Sequence, residues 1–363
     1  MPLTLSQLEK PLIMNSKLLS CFLLLFALPL SAREKSDVLV MRNGDRLTCE
    51  IKSLDSGTLS ISLDYASGTV SINWGEVDHI ESKQLFRVKT QDGLVYSGSL
   101  ATPTTPGARP TEIEVIEPSA RKVELDKTHV IDMQQTDLGF WRPFNGQIGL
   151  SSLYNKGNQS FQYSVNGDVN YTRERWGASA SYYSNLSFSS GTSDSTRNEI
   201  ELAAQRLLRW NNWYYAGLAD FLQSSEQGIQ LQSTFGGGIG RYLKNTNKTM
   251  ISVYGGLALE NIAYQQQILP ATDQQVTAAL IVGQMKLFRF DKTNLSFTAT
   301  VLPALSDPGR VHTILNVAYY VKLWSNFKWN LSFYGNWDNQ PPPGFSGSNY
   351  GSSSGVTYTF GNR

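Results

Sequence analysis

The sequence predicts an all-β chain: a transmembrane antiparallel up-and-down β-barrel of about 12 strands preceded by a small periplasmic β domain with two Sm/SH3-like repeats. Three observations carry that expectation. An apolar stretch near the N-terminus reads as an export signal. The second half of the chain alternates polar and apolar residues over long segments. Finally, Ser354-Gly355-Val356-Thr357-Tyr358-Thr359-Phe360 sets small or polar residues against aromatic ones, in the manner of a closing barrel strand. Successive side chains of a strand point to opposite faces, so in a barrel only every second residue has to meet lipid.

Composition agrees. At 363 residues the chain has room for two domains. Mean hydropathy is mildly negative and no second long apolar run follows the N-terminus, which excludes a helical membrane protein but not a barrel. The 17 Tyr, 16 Phe and 8 Trp, with 30 Gly, suit strands and their turns. A net charge of +1 without a basic stripe argues against a nucleic-acid partner.

Residues 1–32 read as the signal peptide, with Met14 as an alternative true start. Lys17 supplies the positive region, Leu18 to Leu30 the apolar core and Ser31-Ala32 the small-residue cleavage region, ahead of Arg33-Glu34-Lys35. The core is short for a bilayer span, and a retained anchor is the other reading. Cys21 sits before the apolar core rather than after it, which disfavours a lipoprotein. Once the signal is removed Cys49 stands alone, without a disulfide partner, and reads as a small buried residue.

Residues 37–137 carry short strands, turn signals and much of the charge, and read as a periplasmic β domain with a tandem repeat, about 37–82 and 85–135. Val70 to Ile80 aligns without gaps on Val123 to Met133, and Asn43-Gly44 matches the hairpin signal Asp92-Gly93. Thr102 to Gly107 reads as an exposed loop. His79 and His129 fall at non-equivalent repeat positions with no second His or Cys beside them, so a metal site is disfavoured. Trp74 occurs in the first copy alone and reads as a core or contact residue.

Residues 144–363 divide into twelve alternating segments. In one, Phe161, Tyr163, Val165, Val169 and Tyr171 oppose Gln162, Ser164, Asn166, Asp168 and Asn170. In another, Phe327, Trp329, Leu331 and Phe333 oppose Lys328, Asn330, Ser332 and Tyr334. A soluble sandwich would need the same apolar face as its core. The connections favour the barrel: short turns near Arg173, Asn211, Thr246, Asp291 and Ser325 alternate with mostly longer stretches, as periplasmic turns and extracellular loops do. Trp176, Trp210, Trp213, Tyr242, Trp324 and Trp329 cluster at the short turns and are the expected interface aromatics.

Asn43-Gly44-Asp45 with Val70-Ser71-Ile72-Asn73-Trp74, the long barrel, and Asp338-Asn339-Gln340-Pro341-Pro342-Pro343-Gly344 followed by Gly355 to Phe360 together resemble the YdiY-like family of salt-induced outer-membrane proteins, a domain of unknown function. The resemblance implies an outer-membrane barrel and brings no substrate, catalytic residue or cofactor. Gly361-Asn362-Arg363 departs from the usual aromatic last residue.

Alternation aims Asp168, Glu199, Glu201, Asp220 and Glu260 inward, with Arg209, His312, Lys322 and Lys328. These are the candidate lumen charges; Glu201 is expected beside Asp220, and Lys322 beside Lys328. Gly355, Tyr358 and Phe360 are the candidate barrel-assembly signal. Expected partners are membrane lipid and lipopolysaccharide, the barrel-assembly machinery and a periplasmic protein, in the outer membrane of a Gram-negative bacterium. No cofactor is expected. Three functions stay open: a passive pore or transporter for small polar solutes, a plugged barrel with a structural or binding role, and a lipid hydrolase. The hydrolase is disfavoured, because His312 is the one barrel histidine and aims inward. P-loop, metal-cluster and nucleotide fingerprints are absent.

Overall fold

In the computed structural model, described residues are 35–66, 68–103, 112–136, 144–155, 160–173, 175–188, 194–208, 211–264, 274–290, 293–324, 326–341 and 346–361. The expected signal peptide, Cys21 and most of the Thr102–Gly107 loop lie outside them.

The first nine strands are β1 (Asp37–Met41), β2 (Arg46–Asp55), β3 (Thr58–Ser62), β4 (Val70–Asn73), β5 (Val77–Thr90), β6 (Val95–Ala101), β7 (Glu112–Ile116), β8 (Lys122–Asp126) and β9 (Val130–Gln135). They form one sheet in the order β4-β3-β2-β1-β5-β6-β7-β8, with β9 bridging β2 and β5. The element order repeats: a strand, a glycine turn, three more strands, a 3₁₀ turn and a closing strand. The two 3₁₀ turns, Trp74–Glu76 and Lys127–His129, occupy positions matched by the gapless alignment. Each is capped alike, Asn73 Oδ1 accepting from Gly75 N and Asp126 Oδ1 from Thr128 N. β5 belongs to both copies: its first residues pair with β1, while Phe86 to Thr90 pair with β9. At the junction the buried Asp37 carboxylate accepts from Ser82 Oγ and from Ile51 N.

A single core spans both copies. Leu39, Ile51, Leu59 and Phe86 pack in one cluster with Val115 and Met133. Trp74, 3% exposed, belongs to it, and its indole N–H donates to Lys127 O at 3.0 Å, so equivalent positions of the two copies touch. Cys49 is fully buried here. Burial, with Asp37 and then Glu50 nearby, pushes its thiol up to about 12.

The remaining strands are β10 (Phe144–Asn155), β11 (Ser160–Thr172), β12 (Trp176–Phe188), β13 (Ser195–Leu207), β14 (Trp213–Ser224), β15 (Ile229–Asn245), β16 (Thr249–Tyr264), β17 (Gln274–Arg289), β18 (Thr293–Pro303), β19 (Val311–Trp324), β20 (Phe327–Asp338) and β21 (Ser348–Gly361). All twelve expected strands are present, and they close into an antiparallel barrel in sequence order. β10 pairs with β21 from Asn145↔Gly361 to Ser151↔Gly355. Bulges in β15 and β19, next to the short turns, carry those strands further than simple alternation would.

Exposure fixes the two faces. Ile148, Leu150, Phe161, Ile200, Leu202, Phe235, Leu257, Ile281, Leu331 and Val356 are exposed and share the outward parity. Buried polar residues such as Ser164, Glu260, His312, Asn330 and Thr357 share the other. Among the described outward positions of the strands, charge is confined to Arg206, Arg241, Lys244 and Arg289, toward the short-turn ends of β13, β15 and β17.

The sheet meets the barrel at that same end. Asn212 Nδ2 donates to Gln91 O at 2.6 Å and Asn247 Nδ2 to Val130 O at 2.7 Å. Gly93 has φ +83°, and a Cβ there would lie 2.6 Å from Asn212 Oδ1, so the β5–β6 turn can approach this closely only with glycine.

Two outcomes follow for the sheet. Trp74→Ala is expected to destabilise it by about 3–5 kcal/mol, read as an earlier urea transition for protease cleavage before residue 137, with heat-modifiable gel migration of the barrel retained. Cys49 is expected to resist maleimide at pH 8 in the native protein and to react once urea unfolds the sheet, because it is fully buried and burial pushes its thiol up to about 12; equal native and unfolded rates would contradict the burial.

Candidate functional site in the barrel lumen

The lumen is built by the inward residues of twelve strands, and it has two unlike walls. Between β13 and β19 one part of the inward set is apolar. Leu207, Tyr214, Tyr254, Ala258, Ala278, Leu280, Val282 and Leu302 form a buried cluster joined by Leu218, Tyr242 and Ile314. Leu280 reaches across to Gly236, where a Cβ would come within 2.9 Å of its Cδ2. Tyr254 Oη donates to Ala216 O at 2.8 Å, spanning β14 to β16 inside the barrel. Val95, from the sheet, packs on this cluster from the short-turn end. β15 to β17 carry Gly, Ala, Leu and Val on both parities, and that local loss of alternation is the sequence signal for an apolar wall.

The other wall, β10 to β13 with β18 to β21, is polar. It encloses a cavity of 260 Å³ lined by Gln147, Asn166, Asp168, Glu199, Glu201 and Tyr334 among others. Side chains meet across it: the Tyr183 and Tyr334 rings are 5.7 Å apart, the Arg197 guanidinium lies 5.2 Å from the Tyr334 ring, and Gln147 Nε2 reaches Tyr320 Oη at 3.4 Å.

Every described candidate charge occupies an inward position. Glu201 lies directly opposite Asp220 in the β13–β14 register, and Lys322 opposite Lys328 in β19–β20. Glu199 pairs with Arg197 at 2.7 Å, while Asp168 accepts from Asn170 Nδ2 at 2.8 Å. Glu201 remains exposed to the lumen. β13 and β14 are fourth and fifth in the ring and β19 and β20 tenth and eleventh, so the two like-charged pairs lie on opposite sides. Lys286, inward on β17, extends the basic side, and the sequence hides it because its strand does not alternate cleanly. Arg209 and Trp210 lie outside the described residues.

Toward the long loops the interior is stitched by polar contacts. Arg310 pairs with Asp338 at 2.6 Å and donates to Gln274 at 2.7 Å. His312 Nδ1 lies 3.2 Å from Glu260 Oε1, and Nε2 lies 2.7 Å from Asn336 Oδ1. With both ring nitrogens engaged, His312 has none left to activate a serine. Among the described residues no group of three or more His, Cys, Asp or Glu side chains could hold a metal ion.

The expected interface aromatics divide. Trp176 and Trp324 are exposed, at 48% and 61%. Trp213 and Trp329 take outward positions, Trp213 under the Arg241 guanidinium at 5.7 Å and Trp329 donating to Ser354 Oγ at 2.9 Å. Tyr242 is a correction: it turns inward, its ring 4.8 Å from Tyr214 and its hydroxyl donating to Gln205 at 3.1 Å. Nearness to a turn does not decide the side; the parity shared with Gln232 and Thr234 does. Tyr358 and Phe360 face outward on β21, while Gly355 takes the inward parity.

Residues 147–360 match the family model described as protein of unknown function, DUF481. No curated protein matches the chain. Among solved structures it is similar to the translocator domain of autotransporter NalP from Neisseria meningitidis, at 14% identity over 59% of this chain and 86% of that one, with TM-score 0.32. It is also similar to the NanC porin, at 13% identity over 60% and 99%, TM-score 0.38, and to the CymD monoaromatic hydrocarbon channel, at 9% over 60% and 88%, TM-score 0.28. The family match spans more than half of the sequence, and the chain belongs to the DUF481 family, whose function is unknown.

Proposed function

We propose that this protein is an outer-membrane barrel, close to the YdiY-like group, whose polar half-lumen passes small polar solutes. The apolar band around the outside supports the membrane setting. A charged Lys or Arg at mid-bilayer costs about 2–4 kcal/mol on such a face, and the described outward charges keep to one rim. The observation that carries the pore reading is the cavity along β10 to β13, with Glu201 open to it and Asp220 beside it. Two adjacent carboxylates are tolerated where water or a passing cation screens them. Facing Lys322 and Lys328, they would set a transverse field that favours polar and cationic solutes over apolar ones. In this reading the nine-stranded sheet is a periplasmic domain standing under the barrel, where it narrows the passage and offers a surface to a periplasmic protein.

A plugged barrel with a structural or binding role is the second reading. Its support is the apolar cluster inside the lumen, with Val95 of the sheet packed on it and the Arg310–Asp338 pair lying toward the long loops.

Planar-bilayer conductance separates the two. The pore reading expects discrete openings from the chain beginning after residue 32, and larger ones from a shortened chain beginning at Phe140. No openings from either would leave the plugged barrel. If the acidic pair faces the path, Glu201→Gln with Asp220→Asn lowers cation over anion selectivity toward unity, measured as reversal potential in a KCl gradient; an unchanged potential would remove that pair from the path.

A further inference from the structure

On the outside of the barrel, at the short-turn end, a second cavity opens between sheet and barrel, with a volume of 720 Å³. Its walls carry four arginines: Arg87 from β5, Arg173 and Arg175 from the turn between β11 and β12, and Arg206 from β13. None of the described residues lining it is acidic. The Arg87 side chain is only 7% exposed, with two nitrogens held by Asp132 and the Arg173 carbonyl. Its Nε is buried without a hydrogen-bond partner, and so is Arg175 Nη1. Buried donors are nearly always satisfied. Four guanidinium groups around one cleft, with no acidic residue among its described lining, favour an anionic ligand, and the planar fork of arginine suits phosphate.

The cleft's position identifies which phosphate. Tyr171, Trp176 and Arg206 occupy outward positions, and Trp176 pairs in register with Arg206. The Tyr171 and Trp176 rings lie 5.4 Å apart, and the Arg173 guanidinium sits 5.2 Å from the Tyr171 ring. The other outward charges, Arg241, Lys244 and Arg289, lie toward the same end of the barrel. An aromatic wall for the glycerol and upper acyl region beside a cationic floor is the recognition surface of a lipid headgroup.

We propose that this cleft binds the phosphodiester of an anionic glycerophospholipid from the leaflet at the short-turn end, clamped by Arg87 of the sheet and Arg175 and Arg206 of the barrel. This rests on the membrane setting proposed above. The bound lipid ties sheet to barrel, since its phosphate takes donors from both.

The test uses the full chain, purified in dodecyl maltoside and delipidated. Phosphatidylglycerol, phosphatidylcholine and inorganic phosphate are titrated separately and binding is read by native mass spectrometry. Phosphatidylglycerol is expected to bind about tenfold tighter than either of the others. Arg175→Gln with Arg206→Gln is expected to lose that advantage, and Arg206→Lys, which keeps charge but not the fork, to lose part of it. Equal binding of the two lipids, or unchanged phosphatidylglycerol binding in the double variant, overturns the site. Inorganic phosphate binding as tightly as phosphatidylglycerol overturns the lipid source. Each variant is first checked for heat-modifiable migration; if the double variant lacks it, Arg206→Gln alone carries the comparison. An unaltered chain without heat-modifiable migration overturns the barrel-in-membrane reading itself, a result independent of lipid preference.

Discussion

The larger part of the molecule depends on one pairing, β10 with β21. Until those strands meet, the twelve-stranded sheet has two open edges, each a row of unpaired N–H and C=O groups. In the membrane setting proposed above each such group would cost several kcal/mol, so only the closed form would tolerate the apolar exterior. Small residues hold the register. A Cβ at Gly146 would lie 2.7 Å from Phe360 Cζ, and one at Gly355 would lie 2.2 Å from Leu150 O. The glycine and aromatic of the last strand are thus a packing requirement of closure, whatever else reads them.

Closure also decides who meets inside. Strand order puts β13 and β14 across from β19 and β20, and tilt and register then set the depth at which side chains touch. The result is uneven: tyrosines, Leu280 and Leu302 fill one side while amides and carboxylates keep a cavity on the other. A barrel of this size sits where a lumen can be either filled or open, and this chain does both in one cross-section. Buried charges are paired within that frame, Arg197 with Glu199 and Arg310 with Asp338, as removal from bulk water demands.

Much of this was legible in the sequence because alternation is local. Strand count, strand limits and inward parity follow from period two, which is why Glu201 and Asp220 could be placed side by side across a hairpin. Contacts across the lumen were not legible. His312 meeting Glu260, or Tyr183 meeting Tyr334, depends on closure between residues far apart in the chain. Tyr242 went astray for a related reason: aromatic residues near turns occur on both faces. The arginine-lined cleft is not legible in the sequence because Arg87 and Arg206 come from opposite sides of the change in composition near residue 140.

β5 has a mechanical consequence. It is the last strand of one repeat and the first of the next, the buried Asp37 carboxylate pins it at Ser82, and its far end runs into the turn that Asn212 holds against the barrel. A load applied through the barrel rim therefore enters along β5, which both repeats share, and at the start of β9, which Asn247 holds. Neither copy can peel away while the other holds, and the sheet yields as one piece or stays whole.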